Sequence, residues 1–523
     1  MRTQLHHLVD AGHRANASGP AVTSLGTTVT YAALRALVGS FAGALVARGT
    51  RPGERVAVWL DKRLETVGAI FGTSAAAGVV VPVNPALKPA QVRHVLAHSG
   101  ARVLITSPER WSALAADLDD CPDLHLVVTV GPGATPPTPT GVAVSDWEAF
   151  LEDGIGTRAP VRGVETDPAA ILYTSGSTGK PKGVALSHRN LVAGAESVSH
   201  YLGNCRDDVI LAALPLSFDA GLSQLTTAFA VGAHVVLHNY LLPAHVVRLC
   251  EQHQVTGLTG VPPLWMQLAE QSWPVAATAS LRYFANTGGR MPGPTLRKLR
   301  DIFPAADPYL MYGLTEAFRS TYLDPKDVDR HPDSIGRAIP NADILLIAPD
   351  GSPCSPGQTG ELVHRGPLVA LGYWNDPEAT AQRFRPVPAE PSIPRPDVAV
   401  WSGDLVRSDE EGHLYFVGRT DEMIKTSGYR VSPTELEEVA YASSEVRDAV
   451  ALGCDHPRLG QQIVLVVTAR EGEAVDVQEL TRFLRAELPA YMVPRRIVVR
   501  EGTLPRSPNG KFDRPRIRAE LQD

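Results

Sequence analysis

Tyr173-Thr174-Ser175-Gly176-Ser177-Thr178-Gly179-Lys180-Pro181-Lys182-Gly183 is the stretch on which the reading of the whole chain turns. It follows an apolar run, 169–172, that reads as a strand end, and it precedes Ser187-His188-Arg189-Asn190, a helix-capping signal. Its glycines let backbone N–H groups turn inward. The hydroxyls of Thr174, Ser175, Ser177 and Thr178 add donors, and Lys180 adds positive charge. Such a loop can wrap a polyphosphate. The spacing differs from the P-loop, which has four residues between its glycines and a Ser or Thr after its lysine. Here two residues separate Gly176 from Gly179, and Pro181 follows Lys180. A flexible Ser/Gly linker is the bland alternative, and the apolar run and the cap on either side argue against it.

Outward from this loop, strand and helix patterns alternate. Apolar β-rich runs stand at 55–60, Ala101–Thr106, 124–130, 209–214 and 233–237, with helical patterns at 31–48, 89–98 and Pro243–His253. The run 67–83 is rich in Gly and Ala and has Pro82 near its end, so it predicts a buried helix followed by a buried strand. This alternation predicts an α/β fold with substantial parallel sheet. Stretches 131–141 and 386–396, rich in Pro, read as surface loops. Near 418–421 the pattern changes to a compact α+β unit: a helix over 432–442, strands at 449–452 and 462–469, a helix over 477–488 and a last strand at 496–499. The expected organisation is a large multi-subdomain N-terminal α/β domain, residues 1–418, and a small C-terminal α+β domain, residues 419–523.

The chain has 523 residues, 20% of them charged, with a net charge of −7. That balance argues against a nucleic-acid partner held by phosphate neutralisation. No stretch has the apolar length of a signal peptide or membrane span, so no membrane partner and a cytoplasmic location are expected. Cys121, Cys205, Cys250, Cys354 and Cys454 are far apart in sequence. They offer no disulfide framework or zinc spacing and read as buried or half-buried free thiols.

The phosphate loop closely resembles the signature of the adenylate-forming superfamily, which includes acyl-CoA synthetases, luciferases and the adenylation domains of nonribosomal peptide synthetases. The resemblance recurs in order from Tyr31 to Arg514. Tyr312-Gly313-Leu314-Thr315-Glu316 is similar to the family's Y-G-x-T-E segment. By that resemblance Tyr312 stacks on adenine, Thr315 meets the α-phosphate and Glu316 holds Mg2+. Asn286-Thr287-Gly288-Gly289, followed by Arg290, resembles a family turn between the nucleotide and the acyl pocket. Trp401-Ser402-Gly403-Asp404 resembles the motif whose aspartate accepts hydrogen bonds from the ribose. Gly418-Arg419-Thr420-Asp421 and Ile424-Lys425-Thr426-Ser427-Gly428 resemble the hinge, with Arg419 on the ribose and Asp421 as pivot. Pro505-Arg506-Ser507-Pro508-Asn509-Gly510-Lys511 resembles the C-terminal lysine motif, and Asn509-Gly510 is a turn that presents Lys511.

The resemblance implies ATP and Mg2+ as cofactors and two half-reactions. A carboxylate displaces pyrophosphate to form an acyl-adenylate, with Lys511 bridging the carboxylate and the α-phosphate. Like charges meet in that step, and a metal and fixed donors offset their repulsion. The small, mobile domain then rotates, withdrawing Lys511 and bringing in residues 425–429, and a pantetheine thiol takes the acyl group.

The acid is less legible. Ser217-Phe218-Asp219-Ala220 resembles the F-D-x-S segment of amino-acid-activating domains, except that Gly221 stands where the family has Ser. There the aspartate binds the substrate's ammonium group. A carboxylate in an apolar pocket needs a cation, and an amino acid supplies one. Alternatively Asp219 caps a helix or pairs with an arginine. Ser223, Thr287, Gly288, Phe318 and Arg319 complete the candidate acyl pocket, and Arg319 fits either a second carboxylate or a structural ion pair. The chain looks most like stand-alone ligases that load amino acids, including β-amino acids, onto separate carrier proteins in natural-product biosynthesis. An acyl-CoA ligase acting on a fatty or aryl acid is the alternative, and a luciferase-like oxidase would share every motif.

Overall fold

The alternating apolar runs become parallel strands in two large sheets. The structure, a computed structural model, describes residues 2–116, 118–133, 141–157, 159, 163–174, 181–387, 398–419, 423–470, 473–505 and 512–521. Ser175, Gly176, Ser177, Thr178, Gly179, Lys180, Asp421 and Lys511 lie outside the described residues, and Arg419 is described by its backbone alone.

One sheet runs Gly372–Tyr373, Lys182–Ser187, Pro168–Thr174, Val79–Pro82, Arg55–Trp59, Ala101–Thr106, Leu126–Thr129, Ala143–Asp146. From Pro168–Thr174 onward its strands are parallel. The other runs Arg337–Ala338, Thr321–Leu323, Asp307–Tyr312, Tyr283–Asn286, Gly257–Gly260, Val209–Ala212, His234–Leu237, Pro20–Ser24, Thr27–Thr30. Its middle strands, from Asp307–Tyr312 to Pro20–Ser24, are parallel. Successive side chains on a strand face opposite sides, so each sheet feeds two cores. Val56, Val58, Val103 and Ile105 join Ile210, Ala212, Val235 and Leu237 in one cluster with the helices Leu64–Ala75, His188–Tyr201 and Asp219–Val231. Leu211, Val236 and Leu258 pack on the helices Pro243–His253 and Pro262–Ala269. Ala57, Trp59 and Leu104 pack on Pro89–Ser99 and Pro108–Leu114. The two sheets and their covering helices are therefore layered around one central stack.

A third, antiparallel sheet holds Asp343–Ile347, Thr359–Arg365, Val398–Ser408, Phe384–Pro386 and Leu414–Arg419. A fourth begins at Ile424–Thr426 and adds Tyr429–Val431, Gly460–Ala469, Val446–His456 and Arg496–Arg500, with the helices Pro433–Tyr441, Val477–Glu487 and Arg514–Ala519 around it. The architecture is the expected one: a large α/β part and a small α+β part.

The capping signal after the phosphate loop forms a capping box: Asn190 N–H donates to Ser187 Oγ, and Ser187 N–H donates to Asn190 Oδ1. The strand expected at 449–452 is longer, Val446–His456, because its polar ends pair with Gly460–Ala469 in a hairpin. The buried helix and strand expected over 67–83 are Leu64–Ala75 and Val79–Pro82. No helix among the described residues is long and apolar enough to cross a membrane. All five cysteines are free, and Cys205 is exposed rather than buried.

Candidate active site

Loops at the carboxyl ends of the parallel strands of both sheets converge on one cavity of about 940 Å³. In open α/β sheets this is where ligands bind. Residues 60–62, 83–87, 213–220, 287–288 and 312–316 each follow a strand end and line it. Thr174 and Pro181, the described flanks of the phosphate loop, line it too, and Thr174 pairs with Lys182 across the antiparallel strands.

On the nucleotide side, Tyr312 Oη donates to Asp404 Oδ2 at 2.5 Å, so the expected adenine and ribose residues meet directly. Asp404 lies opposite Arg419 in the ladder between Val398–Ser408 and Leu414–Arg419. Thr315 and Glu316 open a short 3-10 helix, Thr315–Ala317, shortly after the strand Asp307–Tyr312 ends. Glu316 is buried and accepts a hydrogen bond from Tyr373 Oη at 2.7 Å. Burial by itself raises its carboxyl, but Arg383, Arg430 and the Tyr373 hydroxyl outweigh that and hold it below the ordinary carboxylate range. An ionised carboxylate on the cavity wall is a fitting donor for a hard divalent cation such as Mg2+.

On the acyl side, Arg319 Nη1 lies 2.9 Å from Asp219 Oδ2. This removes the reason for requiring an ammonium in the substrate, because the chain supplies the cation itself. Asp219 opens the helix Asp219–Val231 without a side-chain cap, so the capping alternative is not realised. The departure from the family pattern at Gly221 has a steric cause: a Cβ there would stand 1.8 Å from the Pro215 carbonyl oxygen.

Thr287 and Gly288 line the cavity, as expected; Gly289, Arg290, Ser223, Phe318 and Arg319 do not. Arg290 is exposed and paired with Asp333 at 2.5 Å. Ser223 is buried inside its helix. Phe318 takes a left-handed backbone, φ 57°, which turns its ring into the core against Gly194. Arg319 is 2% exposed behind it.

Sequence reading missed Lys62. Its Nζ donates to the carbonyls of Ala213 and Leu214 at 2.7 and 3.1 Å, and burial, resisted by Asp61, pushes it down to about 7. Its position just beyond the strand Arg55–Trp59 was the available signal. Tyr373 and Arg383 carried no such signal.

The small domain completes the wall. Lys425, Ser427, Gly428, Tyr429 and Arg430 line the same cavity as Thr315 and Glu316. Tyr429 meets Phe218 edge-on at 5.3 Å and stacks on Tyr491 at 3.7 Å. Gly428 has φ 82°, and a Cβ on it would stand 3.1 Å from Val261. Glu435 reaches Gln91 of the large domain at 3.5 Å, and burial pushes its carboxyl up to about 7.

The sequence matches the AMP-binding enzyme family over residues 10–374 and the AMP-binding enzyme C-terminal domain over residues 435–511. It is 35% identical to an L-proline–[L-prolyl-carrier protein] ligase of Streptomyces coelicolor, over 94% of this chain and 91% of that one. It is 32% identical to a feruloyl-CoA synthase of an Amycolatopsis species, over 95% of each. Among solved structures it is similar to a double mutant of o-succinylbenzoate CoA synthetase from Bacillus subtilis bound with the product analogue OSB-NCoA, with a TM-score of 0.82, 25% identity and 98% of both chains covered. Against the same synthetase in complex with the acyl-adenylate OSB-AMP the TM-score is 0.67, again at 25% identity, over 98% of this chain and 97% of that one. Matched in both its parts and over nearly its whole length, the chain belongs to the AMP-binding, adenylate-forming enzymes, and it is an AMP-forming acid–thiol ligase that uses ATP and Mg2+.

Proposed function

We propose that this ligase adenylates an acid with a largely apolar body and passes the acyl group to a pantetheine thiol, and that the domain arrangement described above serves the second of those steps. The observation that carries this reading is that residues Lys425 and Ser427 to Arg430 of the small domain share one cavity with Thr315 and Glu316. Two further observations support it. Phe512, next to Lys511, packs with Val450, Leu452 and Val464, whereas Tyr429 packs with Ala449, Ala451 and Ile463. Alternate residues face opposite sides of a sheet, so the face that meets the cavity is opposite the one that carries Phe512. In addition, the arrangement is nearer to the synthetase bound with a product analogue than to the same synthetase with its adenylate.

In the first step Thr315 would contact the α-phosphate and Lys511 would bridge it to the attacking carboxylate. Tyr312 and Asp404 would exchange their mutual hydrogen bond for adenine and ribose, with Arg419 on the same rung of the ladder. Mg2+, held by Glu316, would offset the phosphate charge. Asp421 would be the pivot of the rotation that follows, and Arg430 then comes to lie beside Glu316.

The acid we infer has no ammonium group. Asp219 is already paired with Arg319, so it has no free charge to offer an ammonium. An amino acid or β-amino acid delivered to a separate carrier protein, in natural-product biosynthesis, is the second reading. The relationship to the prolyl-carrier ligase favours it, as does the presence of Asp219 on the cavity wall. A pyrophosphate-release screen over fatty, aryl, α-amino and β-amino acids, each offered CoA or a carrier protein as acceptor, separates the two. Turnover of amino acids in preference to fatty and aryl acids overturns the first reading.

A further inference from the structure

We propose that His331, Asp409 and His413 form a binding site for one divalent transition-metal ion, apart from Glu316, and that the ion fastens the hairpin bearing Asp404 and Arg419 to the loop that follows the short helix Pro325–Asp327. His331 lies in the loop after the short helix Pro325–Asp327. Asp409 and His413 flank the turn between the strands Val398–Ser408 and Leu414–Arg419. Side chains from two separate segments therefore converge. His331 Nδ1 and His413 Nδ1 stand 3.5 and 3.6 Å from the same Asp409 oxygen, Oδ2, and one ligand atom from each residue lies within 4.8 Å of the others. Tetrahedral coordination with bonds of about 2.0–2.2 Å puts ligand atoms roughly 3.3–3.5 Å apart. Two of the three edges already have nearly that length.

The surroundings are those of a metal site. Each ring has a carboxylate behind its other nitrogen: Asp327 Oδ2 is 3.4 Å from His413 Nε2, and Glu411 Oε2 is 3.7 Å from His331 Nε2. Carboxylates in that position favour the proton on Nε2 once Nδ1 holds the ion. His413 is 1% exposed, and its Nδ1 has no hydrogen-bond partner. A buried nitrogen without a hydrogen-bond partner, 3.6 Å from a carboxylate oxygen, calls for an occupant. Tyr415 Oη donates to Asp409 Oδ2 at 2.9 Å and lies 2.8 Å from His331 Nδ1, so an ion on Nδ1 takes the place of that contact. Imidazole with carboxylate selects zinc-like ions over Mg2+ or Ca2+. The two rings stack at 3.9 Å, 22° from parallel, and binding asks them to splay until their lone pairs converge.

The position gives the ion a task. Leu414, next to His413, is bonded through its backbone to Ile335 and Gly336, and its carbonyl also takes the Ser334 hydroxyl. A metal there would clamp the hairpin turn where it already touches residues 334–336. Asp404 and Arg419 lie on the two strands that leave that turn.

The full chain, stripped with a chelator, is titrated with Co2+ and read by its visible d–d absorption and by metal analysis. One equivalent is expected to bind and to be displaced by Zn2+. Glu316→Gln is expected to retain that equivalent, Asp327→Asn to bind it about tenfold more weakly, and the His331→Ala/His413→Ala double variant to lose it. Zn2+ is expected to raise the melting temperature of the parent and not of the double variant. A parent that binds no more Co2+ than a double variant of unchanged circular dichroism overturns the proposal. So does a melting temperature that follows pH in the parent, without metal, and loses that dependence in the double variant while neither binds Co2+; the pair would then be a charge-balanced stack.

Discussion

Replacing Gly428 by alanine sets a methyl group against Val261. The added Cβ would stand 3.1 Å from Val261 Cβ and Cγ2 and 3.2 Å from Cγ1. Carbon atoms in ordinary contact are about 3.5–4.0 Å apart. Gly428 also has φ 82°, which costs a residue with a side chain roughly 1–2 kcal/mol. That strain is common to both domain orientations if the loop keeps its shape, so it cancels between the half-reactions. On the proposed domain rotation, the collision with Val261 belongs only to the arrangement described here. One surplus methyl in a packed contact costs about 1–3 kcal/mol. Val261 borders a cavity and can yield, so about 1–2 kcal/mol is the working figure, or about 5–30-fold in population. Thioester formation, measured by mixing preformed acyl-adenylate enzyme with thiol, is expected to slow by that factor, while pyrophosphate exchange keeps its rate. Val261→Ala in the same chain is expected to return most of the loss, which a double-mutant cycle measures. Equal slowing of both half-reactions, or a double variant no faster than Gly428→Ala, refutes the reasoning.

Three other outcomes are expected. Lys511→Ala abolishes pyrophosphate exchange and leaves ATP binding intact; retained exchange would remove Lys511 from the first step. Asp219→Ala leaves Arg319, 2% exposed, without its carboxylate, and about 3–5 kcal/mol of stability is lost in denaturant titration. If stability holds and only amino-acid activation falls, the amino-acid reading prevails. Glu435 is raised by burial from 4.5 to about 7, so the folded arrangement holds its proton more tightly than the unfolded chain. Its contribution is full below about pH 4.5 and is lost as pH rises through about 7. Glu435→Gln should flatten that fall in a melting-temperature series against pH, and a parent whose melting temperature rises across that interval contradicts the assignment.

What could be read in the sequence follows from where the burial is. The parallel strands are covered on both faces, so Arg55–Trp59 and Ala101–Thr106 appear as unbroken apolar runs. The helix Asp219–Val231 is buried at nearly every position from Ala220 to Ala230, so it has no polar face to give it a helical period. The third sheet escaped notice because a strand such as Thr359–Arg365 is only partly covered and mixes polar with apolar residues. In the site, Glu316, Asp404 and Thr287 were legible through local motifs. Tyr373 and Arg383 became part of it only when folding brought them to Glu316, across spans in which neither looks unusual. Asp219 and Arg319 were each singled out, but their pairing spans a hundred positions and has no local signature.

Val261 touches more than the small domain. A Cβ on Gly288, in the turn that faces the acyl pocket, would also stand 3.1 Å from it, against Cγ1. One side chain is therefore wedged between the turn at Gly288 and the small-domain loop at Gly428, the two segments that the proposed function assigns to the acid and to transfer. An acid that displaces the turn at Gly288 pushes the wedge toward Gly428 and worsens the docking fit, while an acid that leaves the turn at rest does not. On the proposed function, the enzyme would judge its substrate twice with the same few ångströms of hydrocarbon: once when the acid is seated for adenylation, and again when the small domain closes. A misfit acid that passed the first judgement would stay on the enzyme as an adenylate and be transferred slowly, so selectivity measured by pyrophosphate release is expected to understate selectivity measured by thioester formed.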